Sequence, residues 1–200
     1  MDLAKNSLDE RLDLLKAAIE QPNLRKSTGK ANEVNYWVFD YDPADELKVR
    51  AYIEELKVKE NNGKKPFQLV VFDLYDIIMD YLESRNFIKK CSDIEQRKGI
   101  ERVATAIQNS IRITDKNNYI VNYIAAHMPD NAIVFLTGIG KCFPILQAPE
   151  VFNMVLYNMP SEYSTTPMIL FYPGIYTEQE LIIFNELKEN NYYRAFRIVR

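Results

Sequence analysis

The chain has 200 residues, 47% hydrophobic and 26% charged, with a net charge of −3. That length fits one domain able to bury roughly 70% of its unfolded surface. The charge argues against general attraction to nucleic acid or anionic lipid, and no apolar run approaches the ~18 residues of a membrane span. The polar start MDLAKNSLDE reads as the opening of a helix rather than a signal peptide. Cys91 and Cys142 match no zinc or redox spacing. Two unpaired thiols suit a reducing cytosol, so a cytoplasmic location is expected.

Ser7-Leu8-Asp9-Glu10 has the form of a capping box, and Leu8, Leu12, Leu15 and Ile19 follow on one helical stripe that Pro22 ends. The polar connection after it carries Arg25, Lys26 and Lys30 around Gly29. It reads first as a solvated loop, and second as a contact for phosphate or a partner. Tyr36–Phe39 form a strand, and Asp40-Tyr41-Asp42-Pro43 leads into a helix. Asp42 is its N-cap, Pro43 has its φ already set, and Asp45 and Glu46 suit the positive end of the dipole. Val49, Tyr52, Ile53 and Leu56 make its buried face, and Asn61-Asn62-Gly63 stops it. Capping accounts for Asp42; Asp40 has no such local explanation, and Asp-x-Asp also presents oxygens suited to a divalent cation.

Phe67–Phe72 make a second buried strand, ended by Asp73 as the cap of a helix with Leu74, Ile77, Ile78, Tyr81 and Leu82 inward. Residues 91–128 hold no strand and read as a helical insertion, packed on one face or projecting as a lobe. Ser92 and Glu95 form a second apparent capping box, and Asp115 opens a further helix that runs to His127. His127, the one histidine, follows Tyr123 on an apolar stripe and reads as packed core rather than base or ligand.

Ala132–Leu136 is a buried strand that breaks into Thr137-Gly138-Ile139-Gly140-Lys141. The glycines permit φ > 0 and close approach to the backbone. A phosphate loop requires G-x-x-x-x-G-K-[ST]; here Phe135 stands at the first glycine position and Cys142 at the hydroxyl position. A tight strand-to-helix turn is the better reading. The strand ending in Asp73 resembles a Walker B element, but it precedes the glycine loop instead of following it. A helix from Pro149 with Phe152, Val155 and Leu156 comes next, then a strand, Met168–Tyr172, ended by Pro173-Gly174. A third apparent capping box, Thr177–Glu180, predicts a helix with Leu181, Phe184 and Leu187 inward, and Tyr193–Val199 forms a polar edge strand.

Strands alternating with helices predict a single α/β domain over residues 1–200. Its sheet is mostly parallel, five-stranded and Rossmann-like or P-loop-like, with helices on both faces. Residues 1–33 add a helix and basic loop, and about 91–128 the helical insertion. Ligands of such sheets bind outside the carboxyl ends of the strands, so a pocket would be lined by Asp40, Asp73, Gly138, Gly140 and Lys141.

The order FDYDP–ELKVR, VFLTGIG, LFYPGIY, NNYYRAF resembles the BrxB family of the bacteriophage exclusion (BREX) defence systems. The carriers are Phe39–Pro43, Glu46–Arg50, Phe135–Gly140, Phe171–Tyr176 and Tyr192–Phe196, and the similarity covers nearly the whole chain. It implies a small cytoplasmic component of an anti-phage system that also encodes a large ATPase, a DNA methyltransferase and an alkaline-phosphatase-like protein. Members are thought to work by assembling with those larger components. No catalytic residues come with the resemblance.

Two functions from different classes follow. The first is a non-catalytic assembly subunit without cofactor: no Ser/His/Asp set, Cys–His pair or zinc cluster is recognisable. Thirteen Tyr, ten Phe and one Trp suit interface anchors, although most must be core. Tyr172, Tyr176, Tyr192 and Tyr193 are the expected partner contacts. The second is a nucleotide- or Mg²⁺-dependent activity, with Asp40 and Asp73 on the cation and Gly138–Lys141 on a phosphate. Direct DNA contact through Arg25, Lys26 and Lys30 is a weaker, salt-sensitive third. Whether the chain pairs with a second copy is left open.

Overall fold

The computed structural model describes residues 6–25, 35–146, 151, 154, 158–177, 180–183, 187–189 and 195–199. The opening helix α1 (Leu8–Glu20) starts as expected: the Ser7 hydroxyl accepts from the Glu10 N–H, and the Glu10 carboxylate accepts from the Ser7 N–H. A short α2 (Pro22–Arg25) follows, then β1 (Tyr36–Tyr41). Asp42 caps a 3₁₀ turn (Pro43–Asp45), with Pro43 in its first turn, and this runs into α3 (Glu46–Glu60). Asn61 closes α3, and its amide both donates to and accepts from the backbone of Leu69, each at 2.8 Å. That pair imitates a neighbouring strand along β2 (Gln68–Asp73).

After β2 come α4 (Leu74–Ser84), α5 (Phe87–Lys98), α6 (Ile100–Ile111) and α7 (Tyr119–Ala126). The chain returns through β3 (Ala132–Thr137), a single turn α8 (Ile139–Cys142) and β4 (Met168–Thr177). It then forms β5 (Glu180–Ile183), β6 (Leu187–Glu189) and β7 (Phe196–Arg197). The helix read from Pro149 falls largely outside the described residues.

Five strands are parallel in the order β2-β3-β4-β1-β7. Alternate side chains sort into two cores, as the pleat requires. Val38, Val134, Leu170 and Phe72 join α4, α6 and α7 on one face; Phe39, Phe135, Phe171 and Leu69 join α1 and α3 on the other. Helices therefore cover both faces, and the sheet is α/β as expected.

Four local expectations change. Thr177–Glu180 starts no helix: β4 continues through Pro173-Gly174 to Thr177 and pairs antiparallel with β5, which pairs with β6. The contiguous apolar run Leu181-Ile182-Ile183 favours a strand over an amphipathic helix. Ser92–Glu95 caps nothing, because α5 is already under way at Phe87. The last helix before β3 is capped by Asn118, whose side chain accepts from the Val121 N–H; Asp115 sits in the turn before it. Within the insertion, α6 and α7 bury Ile107, Ile111, Ile120 and Ile124 against the sheet, while α5 buries no residue fully and rests on Phe87, Cys91 and Ile94. His127 is exposed, not core: it stacks on the Tyr123 ring at 4.2 Å.

Candidate site at the carboxyl edge of the sheet

The strand ends bring Asp73, Gly138 and Lys141 together, because β2 and β3 are neighbours in register, Asp73 opposite Thr137. One oxygen of Asp73 caps α4, accepting from the N–H groups of Tyr75 (3.0 Å) and Asp76 (3.2 Å). The other lies 2.6 Å from Lys141 Nζ and accepts from Thr137 Oγ1 at 3.4 Å. Lys141 Nζ also reaches Asp76 Oδ1 at 3.1 Å and sits 5.2 Å over the Tyr75 ring. Partial burial works against its ammonium, but Asp73 and Asp76 outweigh that and raise its pKa above the ordinary lysine value. A phosphate here would have to displace two carboxylates.

Gly138 stands with φ +81°, and a Cβ on it would come within 2.2 Å of Asp73 Oδ1. The glycine thus serves the approach of Asp73 to the turn. Gly140 lies inside α8, a helix of four residues, too short to sum much dipole. Cys142 is fully buried, and burial pushes its thiol up to about 12.

Asp40 is not part of this group. Two strands, β3 and β4, lie between β2 and β1, so about 14 Å of sheet separates the two carboxylates at ~4.8 Å per strand. They cannot share one cation. Asp40 is 4% exposed and fully engaged. Its Oδ1 accepts from Arg11 at 2.7 Å, and its Oδ2 accepts from Arg197 at 2.5 Å and from the Tyr176 N–H at 3.1 Å. Arg197 also donates to the Tyr176 carbonyl, and Arg11 lies 5.0 Å over the Phe39 ring. Two guanidiniums therefore flank the one carboxylate, so the charge that the sequence left unexplained is neutralised by α1 and β7. Among the described residues, no group of three His, Cys, Asp or Glu side chains is placed to hold a metal.

Two of the four tyrosines expected at a contact surface, Tyr172 and Tyr176, are core. Tyr172 and Tyr176 are 0% and 1% exposed, because β4 runs through the middle of the sheet and its side chains meet helices, not solvent. Tyr176 donates to the Ala195 carbonyl at 2.7 Å. Tyr192, Tyr193, Lys26 and Lys30 lie outside the described residues, and Arg25 sits 5.0 Å over the Phe67 ring. Sequence reasoning missed Arg11 and Arg197 as the partners of Asp40. The available signal was an arginine on the apolar stripe of α1, one residue before Leu12.

No helix among the described residues is long and apolar enough to cross a membrane. No solved structure matches the chain. A family model for "BREX protein BrxB" matches residues 70–198. A BREX protein BrxB from Bacillus cereus (strain H3081.97) is 35% identical over 192 residues, covering 96% of this chain and 97% of that protein. One from Escherichia coli O9:H4 (strain HS) is 28% identical over 192 residues, covering 96% and 92%. The match extends over nearly the whole chain, which belongs to the BrxB family of BREX proteins.

Proposed function

We propose that the chain is a non-catalytic assembly subunit of a BREX anti-phage system. It acts in the cytoplasm by binding larger components of the same system, the alkaline-phosphatase-like protein and the large ATPase among them. Family membership supports the system. One structural observation supports the non-catalytic role: Asp40 and Lys141, the charged groups best placed at the carboxyl edge, are both held by the chain's own side chains. In α/β enzymes that edge is where substrate charge is met.

Two measurements test this. Tagged protein co-expressed with each BREX component in turn should retain at least one; retention of none overturns the assembly role. Thermal unfolding with ATP and Mg²⁺ should be unchanged at millimolar ligand. A site of micromolar affinity would instead add about 4 kcal/mol of stability, and a rise in melting temperature abolished by Lys141→Ala would replace this reading with a nucleotide-dependent one.

A further inference from the structure

The α5–α6 hairpin carries a charge pattern that its own folding does not explain. Residues 85–102 hold six cations (Arg85, Lys89, Lys90, Arg97, Lys98, Arg102) against three carboxylates (Asp93, Glu95, Glu101), in a chain whose net charge is −3. Seven of the described cations elsewhere, Arg11, Lys141 and Arg197 among them, are ion-paired, and others, such as Lys57, Lys64 and Lys116, are not; in the hairpin all six stand without an ion pair among the described residues. Arg85 and Lys90 lie over the rings of Tyr81 and Phe87. Arg97 and Lys98 end α5, where the dipole favours a cation. Lys89 and Lys90 do the reverse: they stand in the first turn of α5, which holds no acid and where backbone N–H groups already make the field positive, whereas Arg102 stands in the first turn of α6 beside Glu101, the acid that such a field favours. At the tip, Ile100 is 53% exposed between Lys98 and Arg102. Residues that break a local rule without local gain mark a surface kept for something else.

We infer that the α5–α6 hairpin is a docking surface for an acidic protein surface, with Ile100 entering an apolar pocket and the unpaired lysines and arginines meeting carboxylates around it. This rests on the assembly role proposed above and names the surface and partner chemistry behind it. A protein fits better than a nucleic acid because a half-exposed isoleucine at the centre of the tip finds no apolar receptor on a phosphate backbone. The uncompensated cations also supply what a partner's carboxylates need without first breaking an internal pair.

The test uses the full chain with Lys89→Glu, Lys90→Glu and Arg102→Glu together. These changes place acids in first helical turns, so the variant should melt no lower than the parent. Co-expressed with the BREX component that the parent retains, it should retain at least tenfold less, and Ile100→Ser should also reduce retention. Parental retention should weaken as salt rises from about 0.1 to 0.5 M, as screening of exposed charges requires. Equal retention by the triple variant overturns the surface but leaves the assembly role standing; retention of no component by the parent removes the assembly role itself. Binding of a random-sequence DNA duplex by the parent, lost in the triple variant while partner retention persists, assigns the hairpin to nucleic acid instead. Loss of a dimer on sedimentation, again with partner retention intact, assigns it to a second copy.

Discussion

Arg197 donates to Asp40 at 2.5 Å although 157 residues separate them in the chain. Together with Arg11 on the other carboxylate oxygen, the contact ties the first helix and the last strand to β1. Asp40 and Arg11 are both under 10% exposed at the side chain, Arg197 24%. Removing one member of such a buried group leaves charge without a partner and costs about 3–5 kcal/mol. Asp40→Asn should therefore lower stability by roughly 3 kcal/mol in urea unfolding, or about 6–12 °C in melting temperature for a chain of this size. Glu55→Gln, which breaks the fully exposed pair with Lys59, should change neither.

Gly138→Ala and Gly99→Ala separate conformational strain from contact. Both glycines have φ +81°, but a Cβ at 99 meets open space whereas one at 138 runs into Asp73. Gly99, at ψ 171°, lies in the extended positive-φ region that side chains avoid, so Gly99→Ala should cost about 1–3 kcal/mol from backbone strain alone. Gly138, at ψ 7°, is left-handed, and Gly138→Ala should cost more than the about 1–2 kcal/mol of that conformation, because Asp73 must also leave the α4 cap or Lys141. A loss at Gly138 no larger than about 2 kcal/mol in urea titration would show that Asp73 moves aside freely.

The contrast between the three apparent capping boxes shows what was legible in the sequence. Ser7–Glu10 caps a helix because α1 begins at Leu8, directly after Ser7. Ser92–Glu95 presents the same residue types, but α5 has already started, so the Ser92 N–H belongs to a helix interior. Thr177–Glu180 follows β4 in a segment whose next residues are all apolar, and sheet pairing wins. Local chemistry proposes a helix start; only the neighbouring strand decides it. Four of the five parallel strands were legible because each is a short apolar run between breakers; the fifth, β7, lies in a stretch that reads as a polar edge. The fate of Asp40 was not, since its partners lie 29 and 157 residues away and no spacing rule spans such distances. The cations of α5 and α6 were legible as composition, but their lack of ion partners became visible only once the helices were placed.

The thiols should titrate late. Burial raises Cys142 to about 12 from an ordinary 9.0 and also raises Cys91. The thiolate is the reactive form, so Cys142 should resist a disulfide reagent at pH 8 until the chain is unfolded by denaturant, when both thiols react. The linkage has a definite sign. Between pH 9 and 12 the unfolded thiol ionises while the folded one stays protonated, so the native state binds more protons and stability falls as pH rises. Cys142→Ala should flatten that fall, even if it lowers stability overall through the space it leaves.

Trp37, the single tryptophan, reports on the docking of β7. Its ring lies 6.0 Å from Phe196, its Nε1 donates to Asn35, and its backbone neighbour Val38 accepts from the Ile198 N–H at 3.0 Å. β7 is only two residues long and, among the described residues, pairs with β1 alone, so the Arg197–Asp40 contact is a large part of what holds it. Arg197→Ala should shift Trp37 emission to the red and raise its quenching by acrylamide at temperatures where the chain is still folded. Arg11→Ala breaks the opposite side of the same carboxylate and should leave β7 in place. Its effect should appear in global stability and not in Trp37 quenching. Equal quenching in both variants would mean that β7 is held by its backbone pairs and Phe196, with Asp40 serving only to anchor α1.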